Sequence, residues 1–204
     1  MKRIALYVFL ACLVTPFLYA NVAAAQDEDE RPEEWAVPIE LDGAPNLHRV
    51  DEGLYRGAQP DEDGFEGLHD MGVRTVVNLR SFHSDRDEIG ELDLAYEHIY
   101  MKAWHPEEEE ILRFLQIATD PRRRPVFVHC QHGADRTGTM CAIYRIVVED
   151  WSKEDALREM RDGGYGFHGV WRNLVDFIED LDCEALEEHL ERSRRRDRDE
   201  DESL

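Results

Sequence analysis

The chain is poor in cysteine and in positive charge, and it has one long apolar run. Its only cysteines are Cys12, Cys130, Cys141 and Cys183. Cys12 falls in the N-terminal apolar run, which leaves an odd number in the rest of the chain. That excludes a complete disulfide framework and raises the prospect of a thiol with a chemical role. Lysine and arginine together number 24 against 46 aspartates and glutamates, for a net charge of −22. Such a surface repels nucleic acid and anionic membranes, so neither is expected as a partner. The acid concentrates in Asp27 to Glu34, Glu107 to Glu110 and Asp197 to Glu202. These are consecutive runs on exposed segments, suited to solubility and not to a convergent ligand set, so no metal or other cofactor is expected. There is no internal repeat.

The apolar run, Ile4 to Tyr19, follows Lys2 and Arg3 and precedes Ala23, Ala24 and Ala25. This is the pattern of a secretory signal peptide, residues 1–25, with the mature chain beginning at or near Gln26. Pro16 interrupts the run, which is short for a bilayer span, so no stable membrane anchor is expected after processing. A lipid anchor on Cys12 would leave too short an apolar stretch before it. Export, to a bacterial periplasm or the medium, is the expectation.

Residues 26–45 are acidic and proline-bearing and read as a linker. Residues 191–204, mixing Arg, Asp and Glu, read as a charged disordered tail. The intervening 46–190 has the size of one domain with one core. Leu47 to Val50 and Leu54 to Arg56 flank a turn and predict a hairpin. Asp61 to Met71 predicts a helix closed by Gly72, and Val73 to Leu79 a buried strand. Ala95 to Met101 predicts a strand, Glu107 to Ala118 an amphipathic helix, and Pro125 to His129 a short buried strand. Helices follow over Thr137 to Glu149, after the Ser152/Asp155 capping box, and over Val170 to Leu181. The alternation predicts an α/β domain with a central, largely parallel sheet flanked by helices on both faces.

Residues 129–138 read His-Cys-Gln-His-Gly-Ala-Asp-Arg-Thr-Gly, at the passage from a strand into a helix. A short loop opening a helix aims several backbone N–H groups, and the positive end of the helix dipole, at one point. Gln131, His132, Gly133 and Ala134 therefore form an anion cradle. The same field favours a thiolate at Cys130, the nucleophilic form of the thiol. Arg136 offers a planar fork able to hold two oxygens of a phosphate and the charge that spreads over them in the transition state. Thr137 is placed to donate to the sulfur, and His129 to order the loop. Cys141, inside the next helix, reads as core, and Cys183 as structural or idle.

His-Cys, five residues, then Arg-Thr-Gly resembles the signature loop of the cysteine-dependent tyrosine and dual-specificity phosphatases. Leu54-Tyr55-Arg56-Gly57-Ala58-Gln59-Pro60 and Val76-Val77-Asn78-Leu79-Arg80 resemble the compact, atypical members of that superfamily. The likeness runs over about residues 46 to 182. It implies the phosphatase fold, metal-independent hydrolysis of phosphomonoesters and a phosphocysteine intermediate on Cys130.

The superfamily usually supplies the leaving-group proton from an aspartate on a separate loop. The corresponding stretch here, Lys102-Ala103-Trp104-His105-Pro106-Glu107-Glu108, has none. Asp135, inside the cradle, resembles an aspartate of some lipid and secreted bacterial phosphatases with proton-transfer roles. Glu107 and His105 are the alternatives. Strand-end position nominates Lys102, and behind it Arg80, for a second anionic group of the substrate. Tyr165 to Gly169 serves either as a wall of the site mouth or as loop packing. Protein phosphotyrosine is the expected substrate, with phosphoserine or phosphothreonine beside it. The loop has no lysine, which weighs against an inositol phosphate or phosphoinositide. A phosphate-binding module without turnover and a sulfurtransferase are the readings from other classes.

Overall fold

A computed structural model describes residues 31–201, with side chains through Arg196. The expected signal peptide lies outside the described residues.

Six strands form one sheet: β1 (Val37–Pro38), β2 (His48–Asp51), β3 (Leu54–Gly57), β4 (Thr75–Asn78), β5 (Ala95–His98) and β6 (Val126–His129). Their spatial order is β1-β2-β3-β6-β4-β5. The predicted hairpin is present as antiparallel β2 and β3, and β1 extends it. From β3 onward every pairing is parallel. The strands β4 and β6 are apolar at consecutive positions because both faces of the sheet are covered. Val76 and Phe127 point to one side, where Phe65 and Leu68 of α1 (Glu62–Asp70) and Ile89 of α2 (Arg86–Ile89) complete a small core. Val77, Val126 and Val128 point to the other. That larger core is closed by α3 (Glu108–Thr119), α4 (Asp135–Glu149), α5 (Lys153–Asp162), α6 (Arg172–Asp180) and α7 (Cys183–Asp201).

Local signals account for most element ends. Asp61 accepts from the Gly64 N–H at the start of α1, and Ser152 accepts from the Asp155 N–H at the start of α5. Glu107 and Glu110 form a reciprocal capping box on α3, a role that acidic run has in addition to solubility.

Two boundaries differ from the sequence expectation. The described part of the predicted linker, residues 31–45, packs as part of the domain: Trp35, Ala36 and Ala44 are buried. The Ala36 N–H donates to Glu159 Oε1 at 2.7 Å, and Arg31 reaches the carbonyls of Ala36 and Gly163 at 2.6 Å each. Glu159 in turn holds Arg145 through two bonds of 2.9 and 3.0 Å. Breaking such a buried pair from one side costs about 3–5 kcal/mol. The segment is thus tied to a strongly held network, which composition alone does not disclose. At the other end the predicted disordered tail continues α7 as far as Asp201. Leu186 and Leu190 anchor the helix, and i,i+4 pairs Glu188–Arg192 and Glu191–Arg195, both 3.2 Å, support its continuation.

Candidate active site

The chain passes from β3 through α1 to β4 and leaves a central slot that β6 fills much later. The carboxyl end of β6 therefore emerges between those of β3 and β4, the position at which open parallel sheets bind ligands. His129 ends β6, Cys130 follows, and α4 begins at Asp135. Gly133 turns the loop with φ +70°, and a Cβ there would lie 2.4 to 2.6 Å from the backbone of Gly57 and Ala58. Only glycine allows that approach. From below, buried Arg56 donates to the Gly133 carbonyl at 2.7 Å, with its guanidinium 3.6 Å over the Tyr165 ring. Tyr165 is itself buried, so this part of the 165–169 segment is loop packing.

Cys130 is 2% exposed. Burial alone would raise its pKa, yet the thiol is held below the usual range. The Thr137 hydroxyl and backbone N–H, the Arg136 charge and the His132 N–H together outweigh desolvation. The buried Thr137 hydroxyl has no other hydrogen-bond partner, so its use is toward the sulfur. The other thiols go the opposite way. Burial pushes Cys141 up to about 11 and also raises Cys183.

This contrast predicts selective alkylation. At pH 7 an ordinary thiol, with a pKa of about 8.5, is a few per cent thiolate. Iodoacetamide at that pH should modify Cys130 before Cys183 and leave Cys141 untouched, as read by peptide mass spectrometry. Because the shift is downward, the thiolate survives as pH falls below the ordinary thiol range and is lost only through the lower, folded-state pKa. Thr137→Val should move the midpoint of the rate–pH curve upward. Equal labelling of Cys130 and Cys183 at pH 7 would contradict the electrostatic reading.

Arg136 is held by the Leu79 and Met101 carbonyls, at 3.1 and 3.4 Å. It lines a cleft of about 220 Å³ together with Arg80, Ser81, Phe82, Ala103, Trp104, Gln131 and Trp171. Arg80, not Lys102, is the second cation there. Lys102 and His105 instead form a small bridge with each other, the His105 N–H donating to the Lys102 carbonyl at 3.0 Å. His105 is exposed with its ring 3.7 Å from Glu107, and Glu107 caps α3. Neither alternative acid lines the cleft. The reason is the turn at 102–105, which carries only Ala103 and Trp104 inward.

Ala134 is buried at the start of α4, and His132 is exposed at the rim, its carbonyl accepting from Asn46 Nδ2 at 2.9 Å. Asp135 is 7% exposed. Its carboxylate accepts from the His168 N–H at 2.9 Å and lies 2.9 Å from His168 Nδ1. The residue is therefore engaged with the 165–169 loop. His129 is fully buried, with Nε2 2.9 Å from Asp85 Oδ2 and its ring stacked on Phe127. Arg56, Asp85 and His168 are the supporting residues that sequence reasoning missed. Arg56 had a signal, a charge at an inward strand position between Leu54 and Gly57, and His168 falls in the Tyr165 to Gly169 segment weighed as a wall of the site mouth, though its own part was not read; Asp85 lies in an irregular segment that has none.

A family model described as DSP-PTPase phosphatase fused to NAD+ kinase matches residues 37–170. A dual specificity protein phosphatase of Pseudomonas aeruginosa, TpbA, is 33% identical over 183 residues, covering 89% of this chain and 83% of that protein. A cysteine-to-serine variant of TpbA in complex with phosphotyrosine superposes with TM-score 0.71 at 31% identity, covering 79% of this chain and 98% of that one. An inositol diphosphatase of Arabidopsis thaliana is 26% identical over 159 residues, covering 72% of this chain and 74% of that protein.

Proposed function

Since the chain belongs to the DSP-PTPase phosphatase family and is a phosphatase, we propose that it acts on phosphotyrosine in proteins through a phosphocysteine on Cys130. In this reading the Cys130 thiolate attacks phosphorus, the P–O bond to tyrosine breaks, and the tyrosyl oxygen takes a proton. Water then attacks the phosphocysteine, releasing phosphate and restoring the thiolate. Arg136 and the loop N–H groups carry the charge on the non-bridging oxygens in both steps. Asp135, joined to His168, is the proposed proton donor of the first step and the base of the second.

The cleft lining is the observation that carries the substrate choice. Phe82, Trp104 and Trp171 supply an aromatic wall, and among the described residues Arg80 and Arg136 are the cations that line it. An aryl phosphate buries its ring against such a wall, while a highly phosphorylated inositol needs more positive charge than two guanidinium groups offer. The depth of Cys130 adds to this, because the aromatic spacer of phosphotyrosine carries phosphorus farther from the peptide backbone than phosphoserine does. The likeness to an inositol diphosphatase supplies the competing reading.

Comparison of kcat/KM for a phosphotyrosine peptide, a phosphothreonine peptide and an inositol pyrophosphate tests the choice. The tyrosine peptide should be preferred. Trp104→Ala should lower its kcat/KM by about tenfold, the worth of 1–1.5 kcal/mol of aromatic contact, and leave inorganic phosphate inhibition nearly unchanged. A preference for the inositol substrate, insensitive to Trp104, would reverse the assignment.

A further inference from the structure

Behind the catalytic loop, on the α2 side, three side chains meet that the hydrolytic reaction does not use directly. His83 Nε2 lies 3.5 Å from Asp85 Oδ1 and 3.4 Å from Glu88 Oε1. The three donor atoms all fall within 4.8 Å of one another. An irregular stretch at 81–85 followed by the short α2 brings them together, which is why their spacing shows no helical or strand ligand pattern.

The distances discriminate between two arrangements. A direct imidazole–carboxylate hydrogen bond is about 2.7–3.2 Å long. Donors bound at about 2.1 Å to one tetrahedral ion stand about 3.4 Å from each other. The two separations from His83, 3.5 and 3.4 Å, match the second, and the two carboxylates lie within 4.8 Å of each other. Asp85 is fully buried: its Oδ2 accepts from His129, but its Oδ1, the atom facing His83, has no hydrogen-bond partner. The Oε2 atom of Glu88 is likewise buried and without a partner. A buried carboxylate oxygen left alone is costly, and a cation removes the cost.

We propose that His83, Asp85 and Glu88 bind a divalent transition metal ion, of which Zn²⁺ is the best representative. One imidazole nitrogen and two carboxylate oxygens are a donor set for zinc-class ions rather than for calcium or magnesium, which take oxygens alone. The Gln59 amide nitrogen also touches His83 Nε2, so an ion there displaces that amide. The ion is attached to the active site through one carboxylate: Asp85 Oδ1 faces the ion and Asp85 Oδ2 faces His129, the residue before Cys130. It is a site beside the reaction, not a participant in it.

The experiment is equilibrium dialysis of the tag-free full chain against Zn²⁺, in a Cys12→Ala, Cys130→Ser, Cys183→Ala background that removes every thiol except the buried Cys141. One ion per chain is expected. His83→Gln and Glu88→Gln should each weaken it by at least the roughly 10- to 100-fold that loss of an outer-shell partner costs, since a direct ligand is removed. Both side chains are partly exposed, so the variants are expected to fold, and circular dichroism is the check on that. Cobalt substitution supplies a second reading, with visible bands of a four-coordinate nitrogen and oxygen site and no thiolate charge-transfer band. Absence of saturable Zn²⁺ binding at millimolar concentration, unchanged affinity in the two variants, or a thiolate band would each overturn the proposal.

Discussion

Replacing Cys130 with serine is expected to abolish turnover while leaving phosphate recognition in place. The hydroxyl is close in size to the thiol but is not ionised near neutral pH, so the attack on phosphorus loses its nucleophile. Loss of a hydrolase nucleophile lowers kcat on the order of 10⁶-fold. Binding has separate supports. Arg136 is held by the Leu79 and Met101 carbonyls, and the loop is braced by Arg56 on Gly133, none of which involves the sulfur. Calorimetry with a phosphotyrosine peptide should therefore still register binding, while hydrolysis of para-nitrophenyl phosphate falls to background. Activity retained in Cys130→Ser would sink the phosphocysteine mechanism, and loss of binding together with activity would mean that the sulfur shapes the cradle.

Asp135→Asn is expected to discriminate between substrates by their leaving groups. Phosphotyrosine leaves poorly without a proton and should be slowed by about 10²- to 10⁴-fold, the usual contribution of a general acid. Para-nitrophenyl phosphate departs as a stable anion and should lose far less. Asparagine keeps the shape and one acceptor for the His168 N–H, so the 165–169 loop retains a tether. Glu107→Gln and His105→Asn are the controls, on side chains that lie outside the cleft. Equal losses on both substrates would assign Asp135 to holding the loop through His168. Leaving-group dependence in a control instead would move the acid to the Trp104 segment.

Much of this architecture was legible in the chain because it is governed by local rules. Val76 and Val77, adjacent and both apolar in a short run rich in β-branched residues, fit a strand covered on both faces, and each faces a different core. Asp61 and Ser152 announced the helices they cap. Cys130, Arg136 and Thr137 lie within one loop and one helical turn, so their convergence follows from backbone geometry at a helix N-terminus and needs no distant contact. The strand–loop–helix frame that brings these three residues together was thus determined by the sequence itself.

What the tertiary structure decided is everything that depends on residues far apart in the chain. Which cation joins Arg136 in the cleft was settled by the turn at 102–105, which leaves Lys102 out of the lining that includes Arg80. The 34–36 stretch is held against the domain by Glu159, which accepts from the Ala36 N–H, and by Arg145, which donates to the Glu34 carbonyl, both more than a hundred residues later. Asp85 lies next to His129 because β6 fills the slot beside β4, placing a late strand against the residues that follow an early one. Such pairings arise from long-range packing and from the cost of leaving buried charge unmatched, and neither is expressed in the spacing of residues along the chain.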